Sequence, residues 1–283
     1  MNKRTKRNLV GLIAGIFFAG SILSAALAKS SSEIDSDTRT TLDPQISKTV
    51  SSDMASKIPD DEDLISSQQD CPSYLADYAY SEVPPDKKPA DIVLDWLKDV
   101  PVGSPTEEIK RASDAFCLDF NFMKSIARIE SDFDPKQQTG SYFGLFQLSK
   151  DEFAKYGSGD ILNARDNAVA AAYKFATEAK LFELNTHKKP TFSDLYLIHQ
   201  QGPQGAEEHV NHPGRIAWKS MCATDEGKEK GEEWCKRAVW ENTLPEVKRV
   251  WKSVDNLTSG AFVQMWRDQV DHFYSRYAEA TMK

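Results

Sequence analysis

From Cys71 onward the apolar residues of this chain recur every three or four positions, and no run alternates with period two for long. Spacing near 3.6 places side chains on one face of a helix, whereas alternation is what a half-buried strand requires. The fold class is therefore read as mostly α. Ser104-Pro105-Thr106-Glu107 forms a capping box with proline at the first helical position. Ile109, Ala112 and Phe116 follow at helical spacing. A second helix is expected from about Asn121, striped by Phe122, Ile126 and Ile129. Asp166 is read as the cap of a third, lined by Val169, Ala172, Tyr173, Ala176 and Phe182. Thr191 to Asp194 resembles another cap before Leu195, Leu197 and Ile198. Phe262, Met265, Trp266, Val270, Phe273 and Tyr277 make the strongest amphipathic stripe. The only β structure expected is a small hairpin near residues 138–148, and no internal repeat is visible.

The 283 residues are 40% hydrophobic, enough for one large domain or two small ones. A mean hydropathy of -0.53 excludes a polytopic membrane protein. A net charge of -8 argues against nucleic acid as a partner, which calls for a basic face.

The N-terminus reads as an export signal. Lys3, Arg4, Lys6 and Arg7 precede an apolar run from Leu9 to Leu27, and Ala26-Leu27-Ala28 has the small-x-small pattern of a cleavage site. The run is also long enough to cross a bilayer, so an uncleaved anchor is the alternative. Both readings place the body outside the cytoplasm, in the periplasm. Residues 29–70 carry ten acids and four bases and no Trp, Phe or Tyr. Such a stretch cannot bury enough apolar area to offset its chain entropy, so it is read as an acidic, Ser-rich linker. Residues 71–104 are then an N-terminal helical extension, 105–215 the central domain and 216–283 a C-terminal helical extension.

All four cysteines, Cys71, Cys117, Cys222 and Cys235, lie beyond the signal. In an oxidising compartment an even count favours disulfides. Four cysteines allow three connectivities, which the sequence leaves open; Cys222 and Cys235 flank a Lys/Glu/Gly-rich stretch whose closure costs little, which favours Cys222–Cys235 with Cys71–Cys117. With no Cys-x2-Cys pair, zinc is not expected. His209 and His212 lack a third ligand in spacing and are read as surface groups. No nucleotide loop, zinc motif or Gly-x-Ser-x-Gly elbow is present, so neither cofactor nor metal is expected.

The most informative stretch is Ile126 to Ser149, IARIESDFDPKQQTGSYFGLFQLS. Glu130 ends an apolar helix, where negative charge does nothing for the helix dipole. Apolar surroundings disfavour the ionised carboxyl and raise its pKa, which suits a general acid near neutral pH. Gly140 to Gly144 is turn-rich and can bend back over the helix end. Gln147 then presents an amide able to pair with sugar acetamides and hydroxyls. Between Pro135 and Lys150 there is no acid, and Asp132 and Asp134 follow Glu130 within four residues. They are read as solvated.

These residues resemble a family. Glu130-Ser131, then Pro135, then Gly144-Leu145-Phe146-Gln147 look like the catalytic core of the soluble lytic transglycosylases. Asn163 to Phe175 resembles the family's segment that opens a long helix, and Tyr196 to Pro203 sits where the family has Ala-Tyr-Asn-Ala-Gly-Pro. Thr139 stands in the place of a serine, Phe146 of a methionine, His199 of a tyrosine and Gln200 of an asparagine. The likeness spans about residues 105–215. It implies a lysozyme-like, goose-type helical domain with additional N- and C-terminal helices, acting on the glycan strands of peptidoglycan. It implies that Glu130 is the single catalytic acid and base, that Gln147 holds the substrate acetamide, and that Ser131, Thr139, Tyr196 and His199 are candidate substrate contacts. It further implies a lyase reaction that leaves a 1,6-anhydro sugar. Two other functions stay open on the sequence. One is a hydrolytic muramidase with Asp160 as base; the other is a non-catalytic glycan-binding component of an envelope assembly, such as a secretion system or flagellum.

Overall fold

A computed structural model describes residues 86–281. The expected signal, the linker and Cys71 lie outside the described residues.

Local chemistry starts each helix. α1 (Pro89–Leu97) begins on a proline. α2 (Pro105–Ala115) begins on the reciprocal box of Ser104 and Glu107, as the sequence indicates. α3 (Phe120–Ser131) starts just before the expected point, because Asp119 accepts the Phe122 N–H at 2.7 Å. A three-stranded antiparallel sheet follows, in the order β1 (Gln138–Thr139), β2 (Tyr142–Phe143), β3 (Leu148–Ser149), one strand more than the expected hairpin. Thr139 pairs with Tyr142, and Phe143 with Leu148. Ser149 and Glu152 box the start of α4 (Lys150–Tyr156).

α5 (Ala164–Thr186) departs from the sequence reading in two ways. Its cap is Asn163, which accepts from Arg165 and Asp166 N–H, while Asp166 itself accepts from the Asp160 N–H at 2.9 Å. Nor does it show one apolar side. From Ala164 to Ala176 only Asp166 is not buried, because α1, α2, α4 and α6 (Phe192–Asn211) all pack on it. A row of alanines lets those neighbours approach. α6 starts on the Thr191–Asp194 box and breaks at Gly202-Pro203, where Gly202 adopts φ 69 and proline has no N–H to offer.

Four short helices follow: α7 (Ala217–Met221), α8 (Asp225–Lys230), α9 (Glu232–Glu241) and α10 (Pro245–Trp251). The long α11 (Ser259–Thr281) closes the described chain and packs on α3, α6 and α7. Phe262, Met265, Trp266 and Val270 of its expected stripe are buried in the same core as α3 and α6. The C-terminal extension thus shares the core of the central segment. No helix among the described residues is long and apolar enough to cross a membrane.

His209 corrects the sequence reading. It is fully buried: its Nδ1 pairs with Ser259 Oγ at 3.0 Å and its ring packs on Phe262. The reason is helical position, three residues past buried Ala206 on the face of α6 that meets α11. Burial pushes the ring down to about 3, so it is neutral. His212 is exposed, as expected.

The expected Cys222–Cys235 bond is present and ties the end of α7 to α9 across a 13-residue separation. The expected Cys71–Cys117 pair reaches outside the described residues. Closing a loop of this size constrains the unfolded chain by about 2–3 kcal/mol. Cys222→Ala/Cys235→Ala is therefore expected to lower unfolding free energy by about that much in urea titration. An unchanged midpoint would show that α8 and α9 hold without the crosslink.

Candidate functional site

Glu130 faces inward because it continues the buried stripe of α3, seven residues after Met123 and four after Ile126. Its side chain has no exposed surface. Beyond it the chain turns through two successive left-handed residues, Asp132 (φ 54) and Phe133 (φ 63). Both Asp132 and Asp134 are exposed, as expected.

The opposing wall is α6. Tyr196, His199 and Gln200, spaced i, i+3, i+4, fall on one face of its first half. Tyr196 donates its O–H to Glu130 Oε1 at 2.8 Å, and Gln200 Nε2 donates to the same oxygen at 2.9 Å. Gln200 also donates to the Tyr196 oxygen at 2.7 Å, which closes a triangle. The Tyr196 ring is held edge-on by Trp266 of α11. Oε2 of Glu130 is buried and has no protein partner.

Burial raises the Glu130 pKa, and the bonds from Tyr196 and Gln200 pull it back, leaving it at about 7. A neutral carboxyl carries one proton. Oε1 already accepts twice, so the proton belongs on Oε2. The acid hydrogen thus sits on the one carboxyl oxygen no protein group engages.

The loop carrying Gln147 is fixed from two sides. Ser131 donates its hydroxyl toward the Ala127 and Leu145 carbonyls (3.1 and 2.9 Å), tying the helix end to the loop. Asn167 of α5 accepts from Phe146 N–H and donates to the Phe143 and Ile161 carbonyls. Gly144 sits at φ 81 against it, and a Cβ there would meet the Asn167 amide at 2.3 Å. Gln147 is buried, its Nε2 donating to the Gln137 and Gly144 carbonyls (3.2 and 2.8 Å) and its Oε1 unpartnered.

The structure therefore brings Tyr196 and His199 to Glu130, and places Ser131 next to it as a loop anchor. Thr139 lies on β1 and accepts from Gln137 Nε2 at 3.1 Å. Neither Thr139 nor Gln147 is hydrogen-bonded to Glu130. Asp160 is an exposed turn residue whose Oδ1 accepts the Leu162 N–H.

Sequence reasoning missed three charged neighbours. Lys174 of α5 is fully buried, 2.8 Å from His199 Nδ1 and paired with Glu152 (3.2 Å) and Glu178 (3.3 Å). Glu152 is also the carboxylate whose charge Glu130 feels, but it is committed to Lys174 and the Ser149 N–H. Lysine in an alanine-rich helix reads as exposed; the signal available was its i, i+4 pairing with Glu178. A cleft of about 520 Å³ lies away from Glu130, lined by Glu178, Leu181, Ile198, Ala206, Val210 and Arg267 among others. Among the described residues no group of three or more His, Cys, Asp and Glu converges to hold a metal.

No protein-family model matches this chain, and no curated protein matches it significantly.

Because the folded pKa of Glu130 lies above the ordinary 4.5, the native state holds a proton that the unfolded chain releases between pH 4.5 and about 7. Stability from this group is present below that window and lost as pH rises through it. Glu130→Gln keeps the neutral shape, so it is expected to stabilise the protein at pH 8 by about 1–3 kcal/mol and to change little at pH 4. Urea unfolding at both pH values checks this. Equal destabilisation at both would show a carboxylate that the fold needs charged.

Proposed function

We propose that this protein is an exported lytic transglycosylase that cleaves the bond between N-acetylmuramic acid and N-acetylglucosamine in peptidoglycan. The observation that carries the reading is the carboxyl of Glu130: buried, titrating near 7, with its proton on an oxygen free of protein partners. Ordinary glycosidases flank the bond with two carboxylates. The acids nearest in sequence are exposed, and Glu152 is consumed by Lys174 and a helix cap. One free carboxyl favours a route in which the substrate supplies the rest.

In that route Glu130 Oε2–H protonates the glycosidic oxygen as its bond to C1 breaks. The acetamide of the muramic residue stabilises the positive centre. The carboxylate then takes the proton of the C6 hydroxyl, whose oxygen bonds to C1. The acid is restored and no water is consumed. Both Gln147 amide hydrogens are spent on the backbone, so its free Oε1 suits one role, accepting the N–H of a substrate acetamide. Tyr196 and Gln200 stabilise the carboxylate formed midway. Ser131 and Asn167 hold the loop rather than the glycan. The apolar leader and acidic linker support delivery of the domain to the periplasm on a tether or after cleavage.

Digestion of purified peptidoglycan, with muropeptides resolved by mass, tests the reading. The expected products are lighter by one water than those of a hydrolase, and Glu130→Gln lowers kcat by about 10²–10⁴. Reducing-end sugars would replace this reading with a hydrolytic one, and full activity of Glu130→Gln would remove Glu130 from the chemistry.

A further inference from the structure

The site contains a donor that the resting structure leaves unused. His199 is buried, and the Lys174 ammonium stands 2.8 Å from its Nδ1. An ammonium only donates, so Nδ1 must be the accepting nitrogen. The ring proton is then on Nε2. Nε2 lies 3.9 Å from Glu130 Oε1, beyond hydrogen-bond range, and makes no hydrogen bond of good geometry, the Phe146 carbonyl being the backbone acceptor near the ring. An orphaned buried donor beside a carboxyl calls for a reason.

We propose that Lys174 is a positioning residue that holds His199 as the neutral Nε2–H ring, a donor kept unpaired beside Glu130 until that carboxyl ionises. The proposal rests on the reading of Glu130 as the acid. While Glu130 is neutral, the short bonds from Tyr196 and Gln200 suffice. Once it has given up its proton, Nε2–H stands 3.9 Å from the new charge, and a small approach completes a third bond. An interaction made only in the ionised state assists the step that creates it.

Lys174 serves a second purpose in the same pose. Burial first, and then the cation against Nδ1, keep the ring from protonating, while the Phe146 carbonyl acts the other way. An imidazolium beside Glu130 would hold the carboxyl ionised and leave no acid to donate. The groups facing this pair from the surrounding elements are Glu130 of α3, Glu152 and Tyr156 of α4, Glu178 of α5, and Tyr196 of α6. Glu152 and Glu178 keep Lys174 charged despite its burial. The pairing is specific to lysine, since a neutral residue at 174 would leave the ring free to take either tautomer or a second proton.

The test is ¹⁵N NMR of the His199 ring in the full chain from pH 5 to 8, which needs no substrate and so stands apart from the proposed reaction. The expected spectrum is that of a neutral ring protonated on Nε2 throughout. An Nδ1–H ring, or an imidazolium forming in that range, overturns the proposal whether or not the protein cleaves peptidoglycan. Lys174→Met is expected to let the ring titrate. The ¹⁵N spectrum of that variant is expected to show a mixture of tautomers or a second proton, where the parent shows Nε2–H alone. A folded Lys174→Met whose ring stays a pure Nε2–H tautomer from pH 5 to 8 also overturns it.

Discussion

The site is organised by a balance at one carboxyl group. Burial makes ionisation of Glu130 costly, and two donors on a single oxygen recover part of that cost. Without the donors, a carboxyl with no exposed surface would stay protonated well above neutrality and be a poor base. Without the burial, the same donors would hold it ionised at pH 7 and it would be a poor acid. The third constraint is that both donors choose Oε1, which leaves the proton on Oε2. Most of the surrounding structure can be understood as what keeps those three conditions together.

Tyr196 and Gln200 meet Glu130 because the first half of α6 runs straight as far as Gln201 and then breaks at Gly202-Pro203. Trp266 fixes the Tyr196 ring from α11, so the last helix supports the site from about seventy residues away in sequence. On the other side, Ser131 and Asn167 pin the short sheet's return loop, and Gly144 allows the approach. Buried polar groups of this sort rigidify a site only when satisfied. Asn167 is satisfied, whereas Glu130, Gln147, His199 and Gln200 each keep a buried polar atom without a protein partner, as do Glu178, Gln201, His209, Asn242 and Trp266.

Much of this was legible in the sequence. The boxes at Ser104 and Thr191, the stripe of α11, the small β element and the Cys222–Cys235 bond follow from local spacing and are present. Glu130 was legible too, as a carboxyl on an apolar stripe. What local spacing did not carry was which polar residues turn inward. His209 sits at a helical position that faces the core, yet its polarity argues for the surface. Lys174 is buried because Glu152, from a different helix, joins Glu178 in neutralising it. The uniform burial of α5 depends on four neighbours packing at once, and no periodicity within the helix records that. Asn163 rather than Asp166 caps it because Asp166 is engaged by the preceding turn.

The central claim is that Glu130 stays protonated up to neutral pH in the folded protein. Carbon-13 NMR of glutamate-labelled protein, with the Glu130 resonance assigned by its loss in Glu130→Gln, measures this directly. The account predicts a side-chain carboxyl that titrates with a midpoint near 7. A midpoint near the ordinary 4.5 would show an ionised carboxylate at neutral pH and would contradict it.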